Sequence, residues 1–175
     1  MASVVFLRGV NVGGNRTFQP SLLARALAQW NAVNVGAAGT FVIRKPIGEA
    51  ALRAEFLARL PFETHLTICR GRDLLELAAA KPFSNPPAGN DTRPYVSVLA
   101  KRPRTLPHLP ISQPPGEKWQ VRIVEVSGKL VLSLARRLGK TILYPNEVVE
   151  KQFGTPATTR NWDTIVTLCE ILKAG

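Results

Sequence analysis

The sequence has only two cysteines and two histidines among its 175 residues. Two cysteines, Cys69 and Cys169, are too few for the disulfide framework of a small secreted protein, and they fit a reduced, cytoplasmic setting better. His65 and His108 lie in different predicted elements, and neither belongs to a cluster with the spacing of zinc ligands. We therefore expect no metal site and no cofactor.

Long hydrophobic runs are also missing. No apolar run approaches the roughly 18 residues that a membrane-spanning helix needs. The first apolar run ends at Arg8 and has no basic segment before it, so it does not resemble a signal peptide. We expect a cytoplasmic protein with no membrane partner.

Acidic residues are scarce, at 12 against 23 basic residues, which gives a net charge of +11 and a pI of about 10.5. Such an excess favours a nucleic acid or another polyanion as partner. The excess is +5 over residues 1–87 and +6 over residues 88–175, so the chain has no basic tail. A polyanion-binding surface must therefore be assembled by folding.

The predicted elements of the first half follow the order β-α-β-β-α-β. Apolar residues at helical spacing predict helices over 22–30 and 52–60. Short apolar or β-branched runs predict strands over 4–9, 33–35, 39–44 and 65–70, and a short helix follows at 74–78. This order is the ferredoxin-like arrangement.

The second half predicts a smaller α+β subdomain. Strands are expected over 95–100, 120–126 and 129–134, the last two joined by Ser127-Gly128, and helices over 146–153 and 160–173. Nine of the 14 prolines lie between Pro82 and Pro115, and proline disfavours regular structure. We predict an α+β fold with subdomains 1–81 and 95–175, a linker at 82–94 and a Pro-rich surface loop at 103–116.

A loop between the first strand and the first helix is a candidate anion site, because backbone N–H groups in this setting can hold phosphate. It reads Arg8-Gly-Val-Asn-Val-Gly-Gly-Asn-Arg16. Gly9 and Gly14 have the glycine spacing of a P-loop, but Asn15 and Arg16 replace the Lys and Ser/Thr that an NTPase needs. The alternative is a tight turn in which Gly and Asn supply positive φ.

A second candidate site precedes the last helix. Thr158 or Thr159 is the expected N-cap, and Asp163 suits the positive end of the helix. Arg160 does not suit that end unless an anion pairs with it, so a bound phosphate is one interpretation. The alternative is a capped helix with Trp162 in the core.

The sequence contains no recognisable catalytic constellation. The nucleophile elbow Gly-x-Ser-x-Gly is missing, and Glu147 and Glu150 are typical of a solvated helix face. No catalytic residue is predicted, although an enzyme remains an alternative. A less favoured alternative is an RNA-recognition sheet in which Phe6 and Phe41 share one face.

Two motifs taken together resemble one bacterial family. They are Val5-Phe-Leu-Arg-Gly-Val-Asn-Val-Gly-Gly-Asn15 and Pro156-Ala-Thr-Thr-Arg-Asn-Trp-Asp-Thr164. They are similar to the opening and closing motifs of domain of unknown function 1697. The resemblance implies a two-part α+β fold and a bacterial, cytoplasmic protein, and it implies no activity. Ala38-Gly39-Thr40 stands where members usually carry Ser-Gly-Asn, which affects the ligand preference if that stretch contributes to the site.

We therefore predict a non-catalytic binder of a phosphate-bearing or polyanionic ligand, such as a nucleotide or nucleic acid. One wall of the predicted site consists of Arg8, Asn11, Gly13, Gly14, Asn15 and Arg16. The other consists of Thr158, Thr159, Arg160 and Asn161, with Lys140 as a further cation. Two alternatives stay open: an enzyme acting on a phosphorylated or nucleotide substrate, and an interaction module that uses loop 103–116. The sequence makes no prediction of oligomeric state.

Overall fold

The computed structural model describes residues 1–10, 17–84 and 91–175, which form two antiparallel sheets and five α-helices. The chain divides into two compact units. Unit 1 comprises Met1–Ala79 and Val166–Gly175, and unit 2 comprises Ala80–Ile165. The last ten residues thus belong to unit 1, which differs from the predicted bounds of 1–81 and 95–175.

The described residues of unit 1 form four strands and three α-helices before its C-terminal segment. They are β1 (Ser3–Leu7), α1 (Pro20–Ala26), β2 (Ala32–Val35), β3 (Thr40–Ile43), α2 (Glu49–Leu57), β4 (Leu66–Arg70) and α3 (Gly71–Ala79). Pro20 occupies the first turn of α1, where a missing N–H costs nothing. Glu49–Arg53 within α2, and Glu55 of α2 with Arg59 just after the helix, form ion pairs at i, i+4.

The sheet of unit 1 has the strand order β2-β3-β1-β4, and its described neighbours are all antiparallel. Alternate residues of β1, β3 and β4 face helices α1 and α2, because side chains alternate along a strand. The fully buried members of this core include Val5, Phe41, Leu52 and Phe56. The rings of Phe41 and Phe56 meet edge to face at 5.2 Å.

The expectation that Phe6 and Phe41 share a sheet face is wrong. Val5 lies opposite Phe41 and Phe6 lies opposite Thr40, so the two rings point to opposite faces. Both rings are fully buried. The sheet therefore presents no exposed aromatic pair for stacking on RNA bases.

Gly39 is placed where only glycine fits. Its φ is +78°, and an added Cβ would lie 2.7 Å from Val10 Cγ2 and 2.8 Å from Leu7 Cβ. Its carbonyl accepts the Leu7 N–H at 2.7 Å, which fixes the end of β1. The backbone of the segment Ala38-Gly39-Thr40 therefore determines where β1 ends, immediately before Arg8.

Both cysteines are buried in unit 1, and neither forms a disulfide. The Cys169 thiol donates to the Leu74 carbonyl at 3.5 Å, and burial raises the pKa of this thiol. Cys169 lies on the C-terminal helix, so this contact joins that helix to α3.

In unit 2, the part of the chain that the structure describes forms five strands, one complete α-helix and the start of another. They are β5 (Thr92–Leu99), β6 (Ile111–Gln113), β7 (Val121–Ser127), β8 (Leu130–Arg136), α4 (Pro145–Phe153), β9 (Ala157–Asn161) and α5 (Trp162–Lys173), of which α5 continues into unit 1. The sheet has the order β6-β7-β8-β5-β9 and is antiparallel. Helix α4 covers one face, where Val149 packs with Leu99, Ile123 and Ala157.

Three sequence predictions for this half need correction. Thr92–Pro94 belong to β5 and not to the linker, because β5 pairs with β8 from Thr92 onward. The Pro-rich loop 103–116 contains the short strand β6, since Ile111–Gln113 lies between prolines and carries the N–H groups that pairing needs. The hairpin turn is Gly128-Lys129, shifted by one residue, because Gly128 with a φ of +60° fits the first central position.

Replacing Gly39 tests whether this close approach determines the stability of unit 1. Gly39→Ala is expected to lower the free energy of unfolding by about 2–4 kcal/mol, from positive-φ strain plus overpacking against Leu7 and Val10. Gly36→Ala is the matched control, since Gly36 has a φ of +69° but nothing near its Cβ position. The control should lose about 1–2 kcal/mol. Equal losses in urea titrations of both variants would show that packing at Gly39 is unimportant.

Candidate functional site

Of the first predicted wall, the structure describes only Arg8. Arg8 follows β1, its N–H donates to the His65 carbonyl at 3.0 Å, and its carbonyl accepts from Thr64 Oγ1 at 2.7 Å. The other members of this wall lie outside the described residues: Asn11, Gly13, Gly14, Asn15 and Arg16. That this loop meets the Thr158–Asn161 segment stays a prediction.

The second predicted wall is a strand and not a loop. Thr158, Thr159, Arg160 and Asn161 lie on β9, which pairs with the edge of β5. Two consecutive β-branched threonines favour this extended conformation. The expectation that Thr158 or Thr159 caps the last helix is therefore wrong.

Asn161 is the residue that caps α5. Its Oδ1 accepts the backbone N–H of Thr164 at 2.9 Å, which satisfies one of the open donors of the first turn. The cap position follows from the strand, because the chain leaves β9 at Asn161 and enters the helix at Trp162.

The Thr159 hydroxyl belongs to a continuous chain of hydrogen bonds under α4. Its Oγ1 lies 2.6 Å from Ser97 Oγ and donates to Asn146 Oδ1 at 2.8 Å. Asn146 Nδ2 donates to Glu150 Oε1 at 3.0 Å, and the same oxygen accepts the Ala157 N–H at 3.1 Å. This chain fastens β9 to β5 and α4, so Thr159 has a structural role.

Thr158 and Arg160 point to the opposite face of the sheet. Thr158 is buried, and its Oγ1 has no hydrogen-bond partner among the described residues. Arg160 is half-buried, and its Nη1 donates to the Thr159 carbonyl at 2.9 Å. Burial lowers the pKa of Arg160 to about 10, so the guanidinium still carries its charge at neutral pH.

Lys140 is an exposed residue of a tight turn. The flanking residues Leu138 and Thr141 form an isolated β-bridge, and Gly139 has a φ of +69°. This turn follows β8, whereas the cation run Lys101–Arg104 follows β5.

Three cations that were not predicted as site residues line one cavity of unit 2. The cavity has a volume of about 420 Å³ and is lined by Lys101, Arg102, Pro103, Arg104, Thr105, Leu106, Pro107, Gln152, Phe153, Gly154 and Thr155. None of these lining residues is acidic. We refer to this site as the 101–107 cavity.

Hydrogen bonds of the backbone bring the two sides of the 101–107 cavity together. The Ala100 N–H donates to the Pro156 carbonyl at 2.8 Å, next to the β5–β9 pairing of Leu99 with Ala157. Lys101–Pro107 therefore leaves the sheet beside the end of α4. The run Lys-Arg-Pro-Arg directly after a predicted strand is the sequence signal that points to this site.

Thr155 lines the cavity, but its hydroxyl oxygen is not part of the accessible wall. Its Oγ1 is shielded from solvent and has no hydrogen-bond partner among the described residues. Because water cannot reach this oxygen, it offers no contact to a ligand in the cavity.

The positive charge is concentrated in unit 2. Unit 2 holds 13 basic and 6 acidic residues, a net charge of +7, whereas unit 1 holds 10 and 6, a net charge of +4. In unit 1, Arg53, Arg59, Arg70 and Arg72 each form an ion pair with a carboxylate three or four residues away. These four arginines of unit 1 are thus paired locally.

Two other cations of unit 2 have a structural role around Trp119. The Cζ atoms of Arg122 and Arg136 lie 4.3 and 4.0 Å from the centre of its ring. Arg136 also donates to the carbonyls of Trp119 and Glu117, and Arg122 donates to Ser112. These contacts hold the segment before β7 in place.

Among the described residues, no group of three or more His, Cys, Asp or Glu side chains could hold a metal ion. No helix in the described ranges is both long enough and apolar enough to cross a membrane.

Comparisons with known proteins give a family and a fold. A family model described as "Protein of unknown function (DUF1697)" matches residues 1–126. The chain is similar to the solved structure of conserved bacterial protein SP0830 from Streptococcus pneumoniae, with a TM-score of 0.63, 17% identity and coverage of 98% of each chain. At this identity the similarity shows the fold alone. No curated protein matches the sequence significantly.

The cap of α5 can be tested by substitution. Asn161→Ala should lower the free energy of unfolding by about 0.5–2 kcal/mol in urea titrations, because the Thr164 N–H loses its acceptor. Asn161→Asp keeps an acceptor oxygen at the helix N-terminus and should remain within about 0.5 kcal/mol of the wild type. If both variants match the wild type, the helix does not depend on this cap.

Proposed function

The chain belongs to the DUF1697 family of proteins of unknown function, and we propose that it is a non-catalytic binder of a phosphate-bearing or polyanionic ligand. The observation that carries this proposal is the 101–107 cavity. Lys101, Arg102 and Arg104 line a single concave site with no acidic residue in its wall. Arginine and lysine side chains are the usual protein partners of phosphate, and they bind it through charge-assisted hydrogen bonds.

One local feature opposes anion binding at the cavity. Helix α4 ends at Phe153, and its C-terminal carbonyls carry partial negative charge. This end effect costs an anion about 0.3–1 kcal/mol. A hydrogen bond to a charged group contributes about 1.5–3 kcal/mol, so contacts from two or three cations outweigh the helix end.

The residues predicted from the sequence remain a second proposed place for the same ligand. They are Arg8, Asn11, Gly13, Gly14, Asn15, Arg16, Lys140, Thr158, Thr159, Arg160 and Asn161. The hydrogen bonds of Thr159 and Asn161 within the protein weaken this version, because those side chains are already used. Arg160 and Lys140 are the charged groups of unit 2 that would serve it.

We also propose a ferredoxin-like arrangement for residues 1–81. Its support is the element order β1-α1-β2-β3-α2-β4 and the antiparallel sheet order β2-β3-β1-β4. Separate subdomains with a linker and a cytoplasmic location stay proposals as well.

A salt titration tests the proposed function. The probe is a fluorescein-labelled single-stranded DNA of 20 nucleotides, and the readout is anisotropy between 50 and 300 mM NaCl. The wild type should bind and lose affinity steeply with salt, because cations that contact phosphates release counterions. The triple variant Lys101→Gln/Arg102→Gln/Arg104→Gln should lose most of the affinity, and its salt slope should fall by about 0.7 per lost phosphate contact.

Two single variants act as controls for this titration. Lys118→Gln removes an exposed charge of unit 2 that does not line the cavity, and it should change little. If Lys140→Gln greatly weakens DNA binding and the triple variant does not, the site predicted from the sequence is favoured. A wild type that binds no DNA at 50 mM NaCl and no inorganic phosphate would overturn the proposed function. If the same protein preparation converts an added nucleotide into products, the enzyme alternative is favoured.

A further inference from the structure

Resting on the proposed function, we infer that the 101–107 cavity recognises a terminal phosphate monoester with a base beside it, in a mononucleotide or at the end of a strand. The cavity volume of about 420 Å³ is far larger than a single phosphate needs. It lies in the range of 300–1,000 Å³ that is typical of sites for small organic ligands. The size therefore favours a phosphate that carries an organic group.

The lining divides into a cationic part and an apolar part. Lys101, Arg102 and Arg104 supply the charge, whereas Pro103, Leu106, Pro107 and Phe153 supply apolar surface. An inorganic anion uses only the first part. A nucleotide uses both, because its phosphate pairs with cations and its base packs on apolar or aromatic surface.

The apolar side chain of Leu106 is exposed to solvent. It is 68% exposed at the cavity, although large apolar side chains gain stability when water is removed from them. Phe153 is half-buried and packs against the core under α4, so its position is fixed. A base between these side chains would cover the exposed leucine.

The number of charges favours a monoester over an internal diester. A terminal phosphate carries a charge of about −1.5 to −2 at neutral pH, whereas an internal phosphodiester carries a single charge. Three cations on one cavity match the higher charge better.

Calorimetric titration with four small probes tests the ligand class. The probes are adenosine 5′-monophosphate, adenosine, inorganic phosphate and methyl phosphate, each at 50 mM NaCl. We expect the nucleotide to bind at least 10-fold more tightly than each of the other three. If the nucleotide binds no more tightly than inorganic phosphate while the labelled DNA still binds, the monoester-and-base inference is wrong and the proposed function stands. If no probe and no DNA binds, both are wrong.

Oligonucleotides distinguish the two sources of the monoester. A 5′-phosphorylated DNA strand and its 5′-hydroxyl counterpart are compared with the mononucleotide. Preference for the phosphorylated strand by at least 5-fold over the mononucleotide indicates a strand end, and the reverse preference indicates a free nucleotide. Equal affinity for the phosphorylated and hydroxyl strands, with no mononucleotide binding, would overturn recognition of a terminal phosphate.

Two variants assign the parts of the cavity. Arg102→Gln removes one exposed cation of the lining, so it should weaken both the nucleotide and inorganic phosphate about 10-fold without lowering the melting temperature. Leu106→Ser alters an exposed residue, so it should weaken the nucleotide about 5-fold and leave inorganic phosphate unchanged. Unchanged nucleotide affinity in both variants would overturn the assignment. Lys118→Gln again serves as the charge control.

Discussion

The pairing of β9 with β5 is the constraint on which unit 2 depends. Thr159 lies opposite Ser97, and the hydrogen bonds that continue through Asn146 to Glu150 fix this register from the side of α4. A shift by one residue would turn every side chain of β9 to the other face. The same register ends with Leu99 opposite Ala157, and so brings the cations after β5 next to the end of α4. The strand pairing thus places the loop residues 101–107 beside the end of α4, where they line the 101–107 cavity.

Local sequence patterns predicted most elements of the fold because their causes are local. The apolar spacing of α2, the φ preference of Gly154 and the β-branched runs of β3 act within a few residues. β9 escaped prediction because Thr158 and Thr159 are common both as caps and as strand residues. The choice between these roles depends on the free edge of β5, about 60 residues earlier in the chain. Burial of Arg160 depends on the same distant strand.

The candidate site was harder to predict than the fold, since a cation run in a sequence looks the same whether it is solvated or lines a cavity. Lys101–Arg104 became a candidate site only because residues 152–155 form the opposite wall of the 101–107 cavity. Conversely, the Thr-Arg-Asn motif predicts a ligand contact, whereas Thr159 and Asn161 form a hydrogen-bond chain and a helix cap within the protein. Polar side chains in a motif therefore have to be compared with the hydrogen bonds that the fold already demands of them.

The division of α5 between the two units has a consequence for biosynthesis. The helix begins at Trp162 directly after β9, but from Val166 onward it belongs to unit 1 with α3 and β1. The Cys169 thiol and the Leu74 carbonyl that it contacts are 95 residues apart, so this contact can form only after Cys169 itself has been synthesised. Unit 1 therefore begins to be synthesised before unit 2 but receives its second segment after it.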